Sequence, residues 1–222
     1  MRIAGRFNGP PGSGNGGVTC GKLAAYVGAP AVEVTLRRPP PLDTDLRVDA
    51  SEGSARLLQG DLLVAEAAPS SVELELPGAM AVEDARTAQE SYGGLADHPF
   101  PTCFVCGTGR SDGLGLRPGP VPGGTACTWV PSSDDPVMVW AALDCPGGWT
   151  VVAPGRPLVL GRMALTAQGR VVPGEVHVIQ GWITGEDGRK VHTGSVLRGP
   201  DGSVVALARA TWFEVDPATF GT

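Results

Sequence analysis

Positive charge is scarce in this chain: 17 Lys and Arg stand against 23 Asp and Glu, for a formal net charge of −6. No basic block exceeds Arg37-Arg38, so the basic face that a nucleic-acid partner requires is missing. Long apolar runs are absent too, and none approaches the ~20 residues of a membrane span. The N-terminus has no apolar h-region of the kind that marks a secretory leader. These absences predict a cytoplasmic protein with no membrane partner. Only three histidines occur, and none lies close in sequence to Cys145, so a Cys–His nucleophilic pair is not signalled. The five cysteines are an odd count in a chain without a secretory signal, which reads as reduced thiols rather than a disulfide framework.

What is present is enough for a sizeable core. With 222 residues and 42% apolar content, the chain can form one compact unit or two fused small domains. Apolar residues recur at strand spacing over 31–39, 45–50 and 55–67, with Pro, Asp and Gly in the gaps. Ahead of them, Ser13-Gly14-Asn15-Gly16-Gly17 reads as a glycine-rich turn opening a helix near 17–28. The same order returns in the second half: a strand over 125–131, an apolar helix over 136–151, then strands over 158–167, 175–185, 190–198 and 203–215. Gly199-Pro200-Asp201-Gly202 marks the last hairpin. The reading is two copies of helix plus antiparallel meander, 1–76 and 125–222, joined by a connection over 77–124. That connection has a strand-like tail at 73–76 just before it and a helical composition over 82–91.

The first-turn amides of a helix have no internal partner and carry the positive end of the helix dipole. Glycines there let a ligand oxygen approach the backbone. Gly16 and Gly17 are therefore expected to bind substrate by polarising a carbonyl, with Asn15 beside them to orient it.

Here a resemblance enters. Asn15-Gly16-Gly17-Val18-Thr19-Cys20-Gly21-Lys22-Leu23-Ala24 resembles the Phe-Gly-Gly-x-x-x-Gly-Gln-Ala-Leu pattern that opens the first helix of double-hotdog medium-chain acyl-CoA thioesterases. Leu36-Arg37-Arg38-Pro39 is similar to that family's Leu-Arg-Pro strand end. The stretch from Gly188-Arg189 through Thr193-Gly194 to Asp201-Gly202 is similar to its C-terminal hairpin. The resemblance spans roughly 5–67 and 125–215. It implies an α+β double hotdog, each repeat a helix wrapped by an antiparallel sheet, the two helices side by side under one sheet.

The family's helical aspartate falls on Asp144, in Trp140-Ala141-Ala142-Leu143-Asp144-Cys145. Its threonine and glutamine do not carry over; those positions fall near Gly161 and Ala210, and Asn15 replaces an aromatic residue. The resemblance implies hydrolysis of acyl-CoA or another acyl thioester without a cofactor, Asp144 acting as general base. A non-catalytic acyl-binding protein is the alternative. A hotdog dehydratase is weaker, since its Asp-then-His spacing would need histidine where Trp149 stands. Self-association is left open.

Asp144 carries its own argument. A carboxylate inside an apolar helix is costly unless it is paired or used, and the small neighbours Ala141, Ala142 and Cys145 leave room for a ligand. It is expected to face a cavity near the start of the first helix. Cys145 reads as a small buried thiol. His98 with Cys103-Phe104-Val105-Cys106 supplies three donors, one short of a structural zinc set, so packed thiols and no metal are expected. His177 and His192 fall on strands and read as surface or interface residues. Trp149, Trp182 and Trp212 read as core or acyl-tunnel lining.

Overall fold

The alternating apolar runs fold as strands, and the small-residue stretches behind Asn15 and Asp135 fold as helices. The computed structural model describes residues 1–151 and 157–216, so the end of the expected second repeat at 222 lies outside the described residues. Its elements are α1 (Gly16–Ala24), β1 (Ala31–Leu36), β2 (Arg47–Ser51), β3 (Ser54–Gln59), β4 (Leu62–Pro69), α2 (Val82–Glu90), β5 (Gly119–Val121) and β6 (Gly124–Trp129). After them come α3 (Pro136–Gly148), β7 (Leu158–Ala167), β8 (His177–Asp187), β9 (Lys190–Arg198) and β10 (Val204–Glu214).

All the strands join one antiparallel sheet in the order β2-β3-β4-β1-β7-β10-β9-β8-β6-β5. The halves meet where β1 pairs with β7, in a register that sets Val34 opposite Met163, both fully buried. Strand alternation then sorts the faces. On β6 and β8, Cys127 and Ile179 join the main core, while Ala126 and Val178 point the other way and pack with Ala85 and Ala88 of α2. Helix α3 is apolar on all sides, and every residue from Val139 to Gly148 is buried. Pro136 at its first turn and the Asp135 side chain, accepting from Val137 N–H at 2.9 Å, fix where it starts.

Two expected elements differ. The run 55–67 is a hairpin, because Gly60 takes a φ of +58° and turns the chain between β3 and β4. The stretch 73–76 forms no strand. Side chains of the sheet take carbonyls in this part of the chain: Arg209 Nε donates to Ser71, Arg198 Nη2 to Pro77 and Gln180 Nε2 to Gly78. Among the described residues no helix is long and apolar enough to cross a membrane.

Helices α1 and α3 cross at unusually close range. A Cβ on Gly17 would stand 2.6 Å from the Trp140 carbonyl oxygen, and one on Gly21 would stand 2.9 Å from Trp140 Cβ and 3.1 Å from Val137 Cα. Glycines four apart lie on one helix face. That face is the one α3 occupies.

Gly21→Ala is therefore expected to destabilise the protein by about 1–3 kcal/mol through overpacking, measured by urea denaturation. Gly78→Ala, where an added Cβ meets nothing within 4 Å, serves as the comparison and should change stability little.

Candidate active site

The turn before α1 is fixed by backbone bonds: Asn15 N–H donates to Phe7 at 2.7 Å and Gly14 N–H to Pro40 at 2.8 Å. Asn15 is the helix N-cap. Its Oδ1 accepts from Val18 N–H at 2.9 Å, which turns its amide nitrogen toward α3. There Nδ2 donates to Asp144 Oδ2 at 3.0 Å, and Gly17 N–H donates to the same oxygen at 2.9 Å. Residues 129 positions apart in sequence thus share one buried contact. Asp144 is only 3% exposed, and its Oδ1 has no hydrogen-bond partner among the described residues. Burial pushes its carboxyl up to about 7, against the opposing pull of the Gly17 amide; negative charge at Cys103 adds to the rise, and the Asn15 amide opposes it.

The geometry corrects one expected role. Gly17 N–H does not face a ligand carbonyl, because the Asp144 carboxylate occupies it; Asn15 Nδ2 is occupied the same way. Both residues hold Asp144. Gly16, the first residue of α1, lines the neighbouring cavity, and its N–H meets no acceptor among the described residues.

That cavity measures about 260 Å³. The α1 turn, residues 36–40, the 98–106 loop, the end of α3 and the start of β7 enclose it, with Trp212 and Phe213. Asp144 lines it. The two positions where the resembling family carries polar groups remain apolar: Gly161 lines the cavity with the Phe213 ring against it, and Ala210 is buried elsewhere. No threonine or glutamine lines the cavity among the described residues. Trp149 and Trp212 line it, whereas Trp182 covers Gly194 on the sheet.

No family model matches the sequence, and no curated protein matches it. Solved structures do match. The chain is similar over 97% of its length to the tesB protein of Mycobacterium avium subs paratuberculosis, at 13% identity, 91% of that chain and a TM-score of 0.58. It is similar over 93% to a hot dog fold protein from Alicyclobacillus acidocaldarius, at 13% identity, 89% of that chain and a TM-score of 0.59. The fold is the double hotdog. An acyl-CoA thioesterase II, TesB2, from Mycobacterium marinum matches over 85% of this chain and 81% of its own, at 12% identity and a TM-score of 0.51.

Within this double hotdog the 98–106 loop and α3 bring a second group to the cavity. The sulfurs of Cys103, Cys106 and Cys145 all lie within 4.8 Å of one another, and all three residues are buried and line the cavity. Sequence spacing showed the Cys-x-x-Cys but not the third sulfur, which arrives on α3, 42 positions beyond Cys103. Hydrogen bonds from the Cys106 and Cys145 thiols hold Cys103 well below the usual thiol range. Burial pushes Cys106 up, and donation to Cys103 does the same to Cys145. His98 adds no further donor: its Nε2 meets the Cys106 carbonyl at 3.1 Å, and its Nδ1 accepts from Phe100 N–H at 2.9 Å. The expectation for His177 also changes. It is fully buried, bridging Val172 N–H and the Glu175 carbonyl, while His192 is partly buried against Thr211.

Asn15→Ala removes a helix cap and a donor to a buried carboxylate together. Summing a cap of ~1 kcal/mol with a charge-assisted bond, it should cost about 2–4 kcal/mol in urea denaturation. Asn15→Asp, which keeps a capping oxygen but sets two carboxylates face to face, should not restore stability.

Proposed function

We propose that this chain hydrolyses acyl thioesters, with acyl-CoA as the substrate class, in the cavity beside the α1–α3 crossing. The observation that carries the reading is the half-satisfied carboxylate of Asp144, a residue that lines the cavity: Asn15 and Gly17 hold one oxygen, and the other, itself buried, has no hydrogen-bond partner among the described residues. In this reading Oδ1 accepts a proton from a cavity water as that water attacks the thioester carbon. The thiolate leaves and takes up the proton. Asn15 and Gly17 are positioning residues, and Gly16 N–H at the positive end of α1 is the donor nearest to hand for the carbonyl oxygen. Leu160, Trp212 and Phe213 supply the apolar wall for an acyl chain. Exposed Arg37 and Arg38 on the cavity lining offer positive charge to the phosphates of a carrier, although Arg37 also pairs with Glu66. The names of structural neighbours, a tesB protein and an acyl-CoA thioesterase II, support the substrate class. The division into repeats at 1–76 and 125–222 with a connection at 77–124 belongs to the same proposal.

A second reading has its own observation. Because Asp144 occupies Gly17 N–H and no threonine or glutamine lines the cavity among the described residues, the same pocket suits an acyl-thioester-binding protein without turnover.

The test assays hydrolysis and binding over a panel of acyl-CoA chain lengths, for the wild type and Asp144→Asn. Losing a general base is expected to lower turnover by about 10²–10⁴, with the circular dichroism spectrum unchanged. Wild-type binding without hydrolysis above the Asp144→Asn background selects the binding reading; equal turnover by both proteins removes Asp144 from the mechanism.

A further inference from the structure

The same cavity carries a group of atoms that thioester hydrolysis does not use. We propose that Cys103, Cys106 and Cys145 bind one thiophilic transition-metal ion, Zn²⁺ foremost, as three thiolates, leaving a fourth coordination position open to the cavity. The proposal stands on sulfur geometry and does not rest on the hydrolysis reading.

The spacing fits an ion better than it fits a covalent bridge. A tetrahedral ion with Zn–S distances of ~2.3 Å holds its sulfurs roughly 3.8 Å apart. Cys103 and Cys145 Sγ lie 3.9 Å apart, with Cys106 Sγ inside the 4.8 Å envelope of the group. A disulfide between Cys103 and Cys145 would need ~2.05 Å, a closure of nearly 2 Å between the loop and the buried helix α3.

Donors around the sulfurs point the same way. Trp149 Nε1–H, which can only donate, lies 3.4 Å from Cys106 Sγ. Asn15 Nδ2 lies 3.9 Å from Cys103 Sγ. N–H groups converging on sulfur are what orient and stabilise thiolate ligands in a metal site. Three thiolates around a divalent ion leave one net negative charge, which these dipoles offset.

The loop is already built. Gly107 N–H returns to the Cys103 carbonyl at 2.9 Å, and a Cβ there would come within 2.5 Å of the Pro101 and Cys103 carbonyl oxygens. Phe104 N–H donates to Asn8 at 2.8 Å. The Arg110 guanidinium ties the loop to the N-terminal segment through the Arg6 carbonyl at 2.7 Å, Asn8 Oδ1 at 2.8 Å and the Thr102 carbonyl at 2.9 Å. A metal would therefore meet a preorganised set of sulfurs, releasing the thiol protons as it binds. Because His98 uses both ring nitrogens elsewhere, the fourth position falls to water or to a ligand in the cavity. Three protein ligands with one open position is the pattern of zinc sites that act on substrate rather than only brace a fold.

The test purifies the full chain under reducing conditions with zinc supplied, then measures metal by mass spectrometry. The expected result is one zinc per chain. Replacement by Co²⁺ should give intense thiolate-to-cobalt charge-transfer bands. Cys103→Ser and Cys145→Ser should each reduce bound metal to background, whereas Cys127→Ser, a buried thiol outside the group, should keep it. Trp149→Phe should weaken zinc affinity by about 10–100-fold while keeping an aromatic ring in place. Should the serine variants fail to fold, X-ray absorption at the zinc edge of the wild type decides, with three sulfur neighbours at ~2.3 Å expected. Metal-free wild type, a zinc shell without sulfur, a Cys145→Ser variant that binds as before, or a disulfide among the three in the reduced protein would each overturn the proposal. Metal content is read without turnover, so a zinc-loaded protein inactive on thioesters counts against the hydrolysis reading alone.

Discussion

The structure depends on how closely α1 and α3 approach. With Gly17 and Gly21 on the facing side of α1, the backbone of α3 comes within the distance that any side chain there would occupy. Only at that separation can the short Asp144 side chain reach across to the first turn of α1 and accept from both Asn15 Nδ2 and Gly17 N–H. The carboxylate in turn satisfies an end-of-helix amide that would otherwise be orphaned in the core. Packing and polarity are coupled here. Widening the crossing would strand a buried charge, and removing the charge would leave a buried donor without an acceptor.

This coupling also gives the cavity its character. Most of its wall is apolar, and among the polar residues that line it is a carboxylate held by one oxygen. An acceptor fixed in place beside a largely apolar pocket can act on a water or a ligand proton with little rearrangement. The Asn15 amide reaches both Asp144 and the Cys103 sulfur. One residue therefore links the carboxylate to the cysteine group, and a ligand filling the cavity would touch both.

Much of the fold was legible in the sequence because it rests on local signals. Alternating apolar runs, the Gly199–Gly202 turn and the apolar stretch from Pro136 each specify an element without help from the rest of the chain. The 55–67 run misled because its apolar residues continue across Gly60, whose left-handed backbone breaks the strand. The 73–76 stretch misled because its alternation was real but long side chains of the sheet bind the chain on either side of it, at Ser71, Pro77 and Gly78, and it pairs with no strand. At the site, Asp144 and Asn15 stood out as polar residues in apolar or glycine-rich surroundings. Their pairing did not, since a contact 129 residues apart leaves no periodic trace. The role of Gly17 was misjudged for the same reason: nothing local says that another helix will occupy its amide. Cys145 reads in sequence as a small core residue, and its place beside Cys103 and Cys106 follows only from the tertiary fold.

In the proposed reaction the cavity beside the helix crossing holds the thioester with its reacting carbon facing Asp144. The most direct measurement is a crystal structure of the protein with a non-hydrolysable acyl-CoA analogue in which a methylene replaces the thioester sulfur. The expected complex has the acyl chain against Leu160, Trp212 and Phe213, the keto oxygen toward Gly16 N–H, and Asp144 Oδ1 within one water of the keto carbon. An analogue bound elsewhere on the protein, or one in this cavity with its keto group turned away from Asp144, would contradict it.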